Sequence, residues 1–125
     1  MRENEIGETL LGCAFRVHSA LGPGLLESAY EVCLLHELGK AGLDAARQVQ
    51  FPINYDDVDL DAGYRIDLLI EDIVIVEVKS VEKLLPIHTA QLLSYLKLSN
   101  RKLGYLLNFN TTQLRSGIKR VVNGL

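Results

Sequence analysis

Apolar side chains recur at Ile6, Leu10, Cys13 or Ala14, Val17 and Leu21. That spacing puts one apolar stripe on a helix over residues 5–20, with Asn4 as its N-cap. Gly22-Pro23-Gly24 stops it. Leu26, Ala29, Tyr30, Cys33, Leu34 and Leu38 repeat the period and predict a second helix over residues 25–40, ended by Gly39 and Gly42. From Gln48 to Tyr55 the period drops to two, with Val49, Phe51 and Ile53 against polar neighbours; Pro52 makes this an edge strand. Asp56-Asp57-Val58-Asp59 reads as a turn or loop. Tyr64–Ile70 and Ile73–Lys79 are two strands joined at Glu71-Asp72 as a hairpin. Pro86 opens a third helix over residues 86–99, Leu103–Phe109 is a strand, and Asn110-Thr111-Thr112 is a loop. Ile118, Val121 and Val122 fit a short strand or a helix equally. The order of elements predicts one α/β or α+β domain over residues 1–125, with a mixed sheet.

The hairpin carries the chemistry. Ile66, Leu68, Ile70, Val74, Val76 and Val78 make one wholly aliphatic face. The other face holds Asp67, Leu69, Ile73, Ile75, Glu77 and Lys79, so three charges stand on a surface that is otherwise apolar. Burying an unpaired carboxylate costs several kcal/mol or more, at about the scale set by ion desolvation. Lys79 neutralises one carboxylate and not two; a divalent cation fits the remainder, because hard cations take carboxylate oxygens. Register tests this reading. Asp67 and Glu77 share a face if opposed positions sum to an even number such as 144, which pairs Ile70 with Val74 and leaves the loop Glu71-Asp72-Ile73; a two-residue loop sets them on opposite faces unless a bulge restores parity. On the third helix His88, Gln91 and Tyr95 form one polar stripe opposite Ile87, Leu92, Leu93 and Leu96. On the second, Glu27 lies in the first turn, where the helix dipole favours a carboxylate, and Tyr30 and Glu31 flank the same stripe.

Charge changes the picture more than composition does. The net charge is −3 and the pI about 5.6. Yet residues 1–78 carry −10 and residues 79–125 carry +7, from Lys79, Lys83, Lys97, Arg101, Lys102, Arg115, Lys119 and Arg120 against Glu82. Such a split points to a polyanion-facing surface, or to a basic face that is simply solvated or pairs with the acidic half. No apolar run approaches the roughly 18 residues of a membrane span. Glu3, Glu5 and Glu8 are wrong for a signal peptide, which places the chain in the cytoplasm. Two cysteines, Cys13 and Cys33, cannot build a cysteine-rich metal site and read as reduced core thiols.

Asp67, Glu77-Val78-Lys79, and Gln91 with Tyr95 together resemble the PD-(D/E)XK nuclease superfamily, including the Q-x-x-x-Y motif of RecB-like nucleases. Gly24-Leu25-Leu26-Glu27-Ser28-Ala29-Tyr30 resembles the motif that names the GxxExxY proteins within it. The resemblance covers nearly the whole chain and implies a restriction-endonuclease-like core: a mixed central sheet flanked by helices. It implies hydrolysis of phosphodiester bonds in DNA or RNA with Mg²⁺ or Mn²⁺. Asp67, Glu77 and the Val78 carbonyl would hold the metal, and Glu27 a metal-bound water or a second ion. Lys79 would activate the attacking water, Gln91 would position Lys79 or substrate, and Tyr95 would touch the nucleic acid; His88, on the same stripe, is a further candidate for substrate contact. The sequence departs from the pattern in having Ile66, not proline, before Asp67, and in lacking the four-cysteine cluster of some RecB-like nucleases. The alternative is a non-catalytic nucleic-acid-binding or regulatory module on the same fold, since a fold alone does not fix activity. The small size also suggests a homodimer.

Overall fold

A computed structural model describes residues 2–60 and 64–125. Helix α1 spans Arg2–Leu21 and α2 spans Glu27–Lys40. The strands are β1 (Ala45–Gln50), β2 (Ile53–Tyr55), β3 (Val58–Leu60), β4 (Arg65–Ile70) and β5 (Val74–Lys79). Then come α3 (Pro86–Ser99), β6 (Leu103–Asn108), a 3-10 turn (Leu114–Gly117) and β7 (Ile118–Val122). Five strands form one mixed sheet in the order β1-β4-β5-β6-β7, with only β5 and β6 parallel. A parallel pair needs a crossover, and α3 supplies it. This is the restriction-endonuclease-like arrangement of helices around a mixed sheet.

Each face of the sheet has its own core. On one side, Ile6, Leu10, Cys13, Ala14 and Val17 of α1 and Tyr30, Leu34 and Leu38 of α2 pack on Leu68, Ile70, Val74, Val76 and Val78. On the other, Leu92, Tyr95 and Leu96 of α3 pack on Leu69, Ile75, Leu106 and Val121. The central strands are therefore covered on both faces, which is why they read as near-continuous aliphatic runs. No helix among the described residues is long and apolar enough to cross a membrane.

Several sequence expectations change. Asn4 is not the N-cap of α1, which begins at Arg2; its side-chain oxygen instead accepts a hydrogen bond from Arg120 at 2.9 Å. Leu26 precedes α2 and is exposed, not part of its buried stripe. The strand expected over Gln48–Tyr55 breaks at Phe51-Pro52, because Pro52 has no N–H to continue a ladder. Its second half pairs with Val58–Leu60 as a small hairpin, around Asp56 and Asp57 at φ 50° and 65°. Two successive left-handed residues are what a two-residue hairpin turn demands. Val58 and Asp59 thus belong to a strand, not a loop. Ile66 packs in the α3-side core, away from Leu68 and Ile70. Ile87 is exposed and does not join the apolar side of α3. Cys13 is fully buried but Cys33 only partly; both are free thiols. The ambiguous C-terminal segment is a strand, β7, at the far edge of the sheet.

Candidate active site

The β4–β5 hairpin pairs Leu68 with Val76, Leu69 with Ile75 and Ile70 with Val74. This is the register that sets Asp67 opposite Glu77. Beyond Leu68 and Val76 the backbone ladder stops, and the two carboxylates replace it. Glu77 Oε2 accepts from the Asp67 N–H at 2.9 Å, and Asp67 Oδ2 accepts from the Val78 N–H at 2.8 Å. A strand residue's N–H and C=O point the same way, so the Val78 carbonyl also faces β4.

The pair is held under electrostatic tension. Burial raises the Asp67 carboxyl to about 6, with the negative charges of Glu31 and Glu27 adding to it and the Val78 N–H and Lys79 opposing. Burial raises Glu77 further, to about 8, with the Asp67 and Glu31 charges adding and Lys79 again opposing. The charge of each disfavours ionisation of the other, and a cation between them would favour both.

Three other elements close around the pair. From α2, Glu27 Oε2 accepts from the Ser80 N–H at 3.1 Å, just past the end of β5. Ser80 Oγ donates to the Leu25 carbonyl at 2.6 Å, so the start of α2 is tied to β5 twice. The turn before α2 is formed by Gly22 and Gly24, at φ 68° and 98°. Tyr30 closes it: its hydroxyl donates to the Gly22 carbonyl at 2.6 Å and accepts from the Leu25 N–H at 3.1 Å, while its ring stacks on Phe109 at 4.5 Å. From α3, Tyr95 is buried edge-on against Phe51 at 5.2 Å. Burial and then the nearby Glu77, Tyr64 and Asp67 push its hydroxyl above the usual phenol value. At the far end of β5, Asn108 holds the outgoing chain: its Oδ1 accepts from the Val81 N–H at 3.1 Å and its Nδ2 donates to the Val81 carbonyl at 2.9 Å.

A family model for the PD-(D/E)XK nuclease superfamily matches residues 4–121. The chain belongs to the PD-(D/E)XK nuclease superfamily. No curated protein matches the chain, and no solved structure does.

Within this superfamily domain the fold gathers Asp67, Glu77, Lys79, Glu27 and Tyr95 at one end of the sheet, between α2 and α3. Gln91 is exposed, one helical turn before Tyr95. His88 is drawn elsewhere: its Nδ1 accepts from the Leu85 N–H at 3.0 Å and caps the start of α3. Two residues that the sequence did not single out as site residues also join the site. Glu31, only 4% exposed, acts electrostatically on both carboxyls and accepts from Arg47 Nε at 3.3 Å and Gln48 Nε2 at 2.8 Å. Gln48 reaches on to Asp67 Oδ1 at 3.4 Å. The signal for Glu31 was its i+4 spacing from Glu27, which puts both on one helix face. Gln48 left no signal, since a glutamine in a strand is ordinary.

The donor chemistry fits a hard divalent cation. Asp67, Glu77 and the Val78 carbonyl are all oxygen donors, the kind Mg²⁺ and Mn²⁺ prefer. Among the described residues no group of three His, Cys, Asp or Glu side chains makes a ready metal site. A cation here would therefore rest on two carboxylates and a main-chain carbonyl, with water or substrate completing its shell.

Proposed function

We propose that this protein is a metal-dependent nuclease that hydrolyses phosphodiester bonds of DNA or RNA. One observation supports it above the rest: Asp67 and Glu77 oppose each other across β4 and β5, with Lys79 two residues on along β5. That is the acid, acid and lysine set in the register the chemistry needs. Membership of the superfamily supports the same reading.

Asp67, Glu77 and the Val78 carbonyl would hold Mg²⁺ or Mn²⁺, with Glu27 reaching it through water or assisting a second ion. A divalent cation supplies positive charge to a phosphate oxygen and lowers the pKa of water at the site. Lys79 supports the ionised form of both carboxyls. Its ammonium faces the charge that develops on the phosphate and orients the attacking water. Gln91, exposed on α3, would position Lys79 or substrate, and Tyr95 would touch the nucleic acid, while His88 serves as the cap of α3. Glu27-Ser28-Ala29-Tyr30 supports placing the chain with the GxxExxY proteins: Tyr30 shapes the turn that presents Glu27. The reading includes action in the cytoplasm and a homodimer, which offers a duplex two sites. A solution mass of twice 13.9 kDa supports the dimer, and 13.9 kDa removes it.

The test is cleavage of single-stranded, duplex and branched DNA and RNA with Mg²⁺, Mn²⁺ or EDTA. Metal-dependent products with the wild type, lost in Lys79→Ala, uphold the nuclease. Salt-sensitive binding with no turnover and no metal effect points to a non-catalytic module instead.

A further inference from the structure

Resting on the nuclease reading, we infer that Gln48 is a positioning residue for Asp67, tying that carboxylate to Glu31 from a left-handed kink in the edge strand. Arg47 pairs with Leu68 and Val49 with Ile66, which leaves Gln48 directly opposite Asp67 and outside the ladder. Its φ is 53°, a region an L side chain seldom adopts and a strand does not call for. Glycine would sit there without strain. The kink turns the side chain into the site, where a single amide nitrogen serves two carboxylates: Glu31 Oε1 at 2.8 Å and Asp67 Oδ1 at 3.4 Å. An amide NH₂ has two hydrogens, so both bonds are available at once.

The two ends of this tie are anchored independently. Arg47 Nε donates to the same Glu31 oxygen at 3.3 Å, so Glu31 is fixed with or without Gln48. The Val78 N–H holds Asp67 Oδ2 at 2.8 Å. One bond to Oδ2 leaves the carboxylate free to swing about its side-chain torsion; the second, from Gln48 to Oδ1, sets its plane. Strained backbone persists where surrounding structure over-determines it, and it clusters at functional sites. Partners that orient metal-ligating groups typically change metal affinity about 10–100-fold when removed.

The experiment compares wild type, Gln48→Gly, Gln48→Asn and Asp67→Asn. Glycine accepts the φ without the amide; asparagine also tolerates it but is one methylene short. Two readouts are taken: the carboxyl ¹³C resonance of Asp67 in metal-free protein, and Mn²⁺ affinity by calorimetry. The expected result is that Gln48→Gly and Gln48→Asn fold with unchanged or higher thermal midpoints. Their Asp67 resonance moves, and Mn²⁺ binds about 10-fold or more weakly. An Asp67 resonance and a Mn²⁺ affinity both equal to wild type would overturn the inference. If wild type binds no Mn²⁺, or Asp67→Asn binds it equally well, the metal site itself fails. The metal-free resonance then decides Gln48 alone: a shift upholds the tie, and its absence overturns it.

Discussion

Asp67 and Glu77 each hydrogen-bond to the other's strand, carboxylate to backbone N–H, at 2.8 and 2.9 Å, in place of the β-ladder that stops one residue earlier. The exchange ties a buried acid, Glu77, to a half-buried one, Asp67, across the two strands. It also makes the site costly to keep in the absence of a cation.

That cost gives a pH prediction. Both carboxyls are raised in the folded protein, Asp67 from 3.8 to about 6 and Glu77 from 4.5 to about 8. The folded state therefore holds protons that the unfolded chain releases, and stability falls as pH rises between about 4 and 8. The contribution is fully present below the unfolded values and is lost as pH passes through the folded ones. Metal-free protein should show a higher urea midpoint at pH 5 than at pH 8.5 on account of this pair. The difference should shrink in Glu77→Gln and when Mn²⁺ is added. An equal slope in Glu77→Gln would rule out this pair as its source.

The same tension predicts opposite effects on stability and activity. Glu77→Gln removes one of two like charges and keeps an oxygen for the Asp67 N–H. At pH 8 without metal it should be at least as stable as wild type while cleavage is lost. A thermal melt alongside a nuclease assay checks both; a strongly destabilised variant would contradict the electrostatic account.

Tyr30 joins the turn before α2 to the core. Tyr30→Phe keeps the stack on Phe109 but removes both hydroxyl bonds, leaving the Gly22 carbonyl and Leu25 N–H without that partner. The loss should be about 1–3 kcal/mol by denaturant titration. Because Leu25 and Glu27 are both tied to Ser80, cleavage should fall more than stability alone explains. Wild-type cleavage in this variant would detach the turn from the site.

Gly117 leaves no room for a side chain. A Cβ there would meet the Asn108 carbonyl oxygen, which is backbone and cannot step aside. Gly117→Ala should cost about 1–3 kcal/mol through forced displacement. Asn108 clamps Val81 and the Phe109 N–H bonds the Lys79 carbonyl, so the strain falls on the segment that carries Lys79. An unchanged melting temperature would refute it.

The basic second half of the chain is not one free patch. Arg101 pairs with Asp72 at 2.7 Å and Arg120 with Asn4 at 2.9 Å, while Lys83 and Lys119 flank one cleft beside the start of α3. Lys83→Ala and Lys119→Ala should each reduce the salt dependence of nucleic-acid binding by about one phosphate contact, and Arg101→Ala by less. Fluorescence anisotropy across a salt series measures the slopes; equal slopes for all three would remove the distinction.

The sequence by itself determined the three helices and most of the central strands, and narrowed the hairpin register to one condition. Period-2 aliphatic runs, a Pro at the start of α3 and two adjacent acidic turn residues are local signals, and local energetics decides them. Parity let Asp67 and Glu77 oppose each other only if the loop held three residues or carried a bulge. The pairing of Ile70 with Val74 meets that condition, and α3 runs over Pro86–Ser99 as expected. Only the tertiary structure decided what surrounds the pair. It broke the expected Gln48–Tyr55 strand at Pro52, sent Ile66 to the α3 side and gave His88 to the Leu85 N–H. It also brought Gln48 of β1 onto the Asp67 carboxylate of β4, with Glu31 of α2 on the same amide. These are contacts between elements far apart in the chain. They depend on how β1 aligns with β4 and how α2 lies across the sheet, and side-chain periodicity carries no information about either.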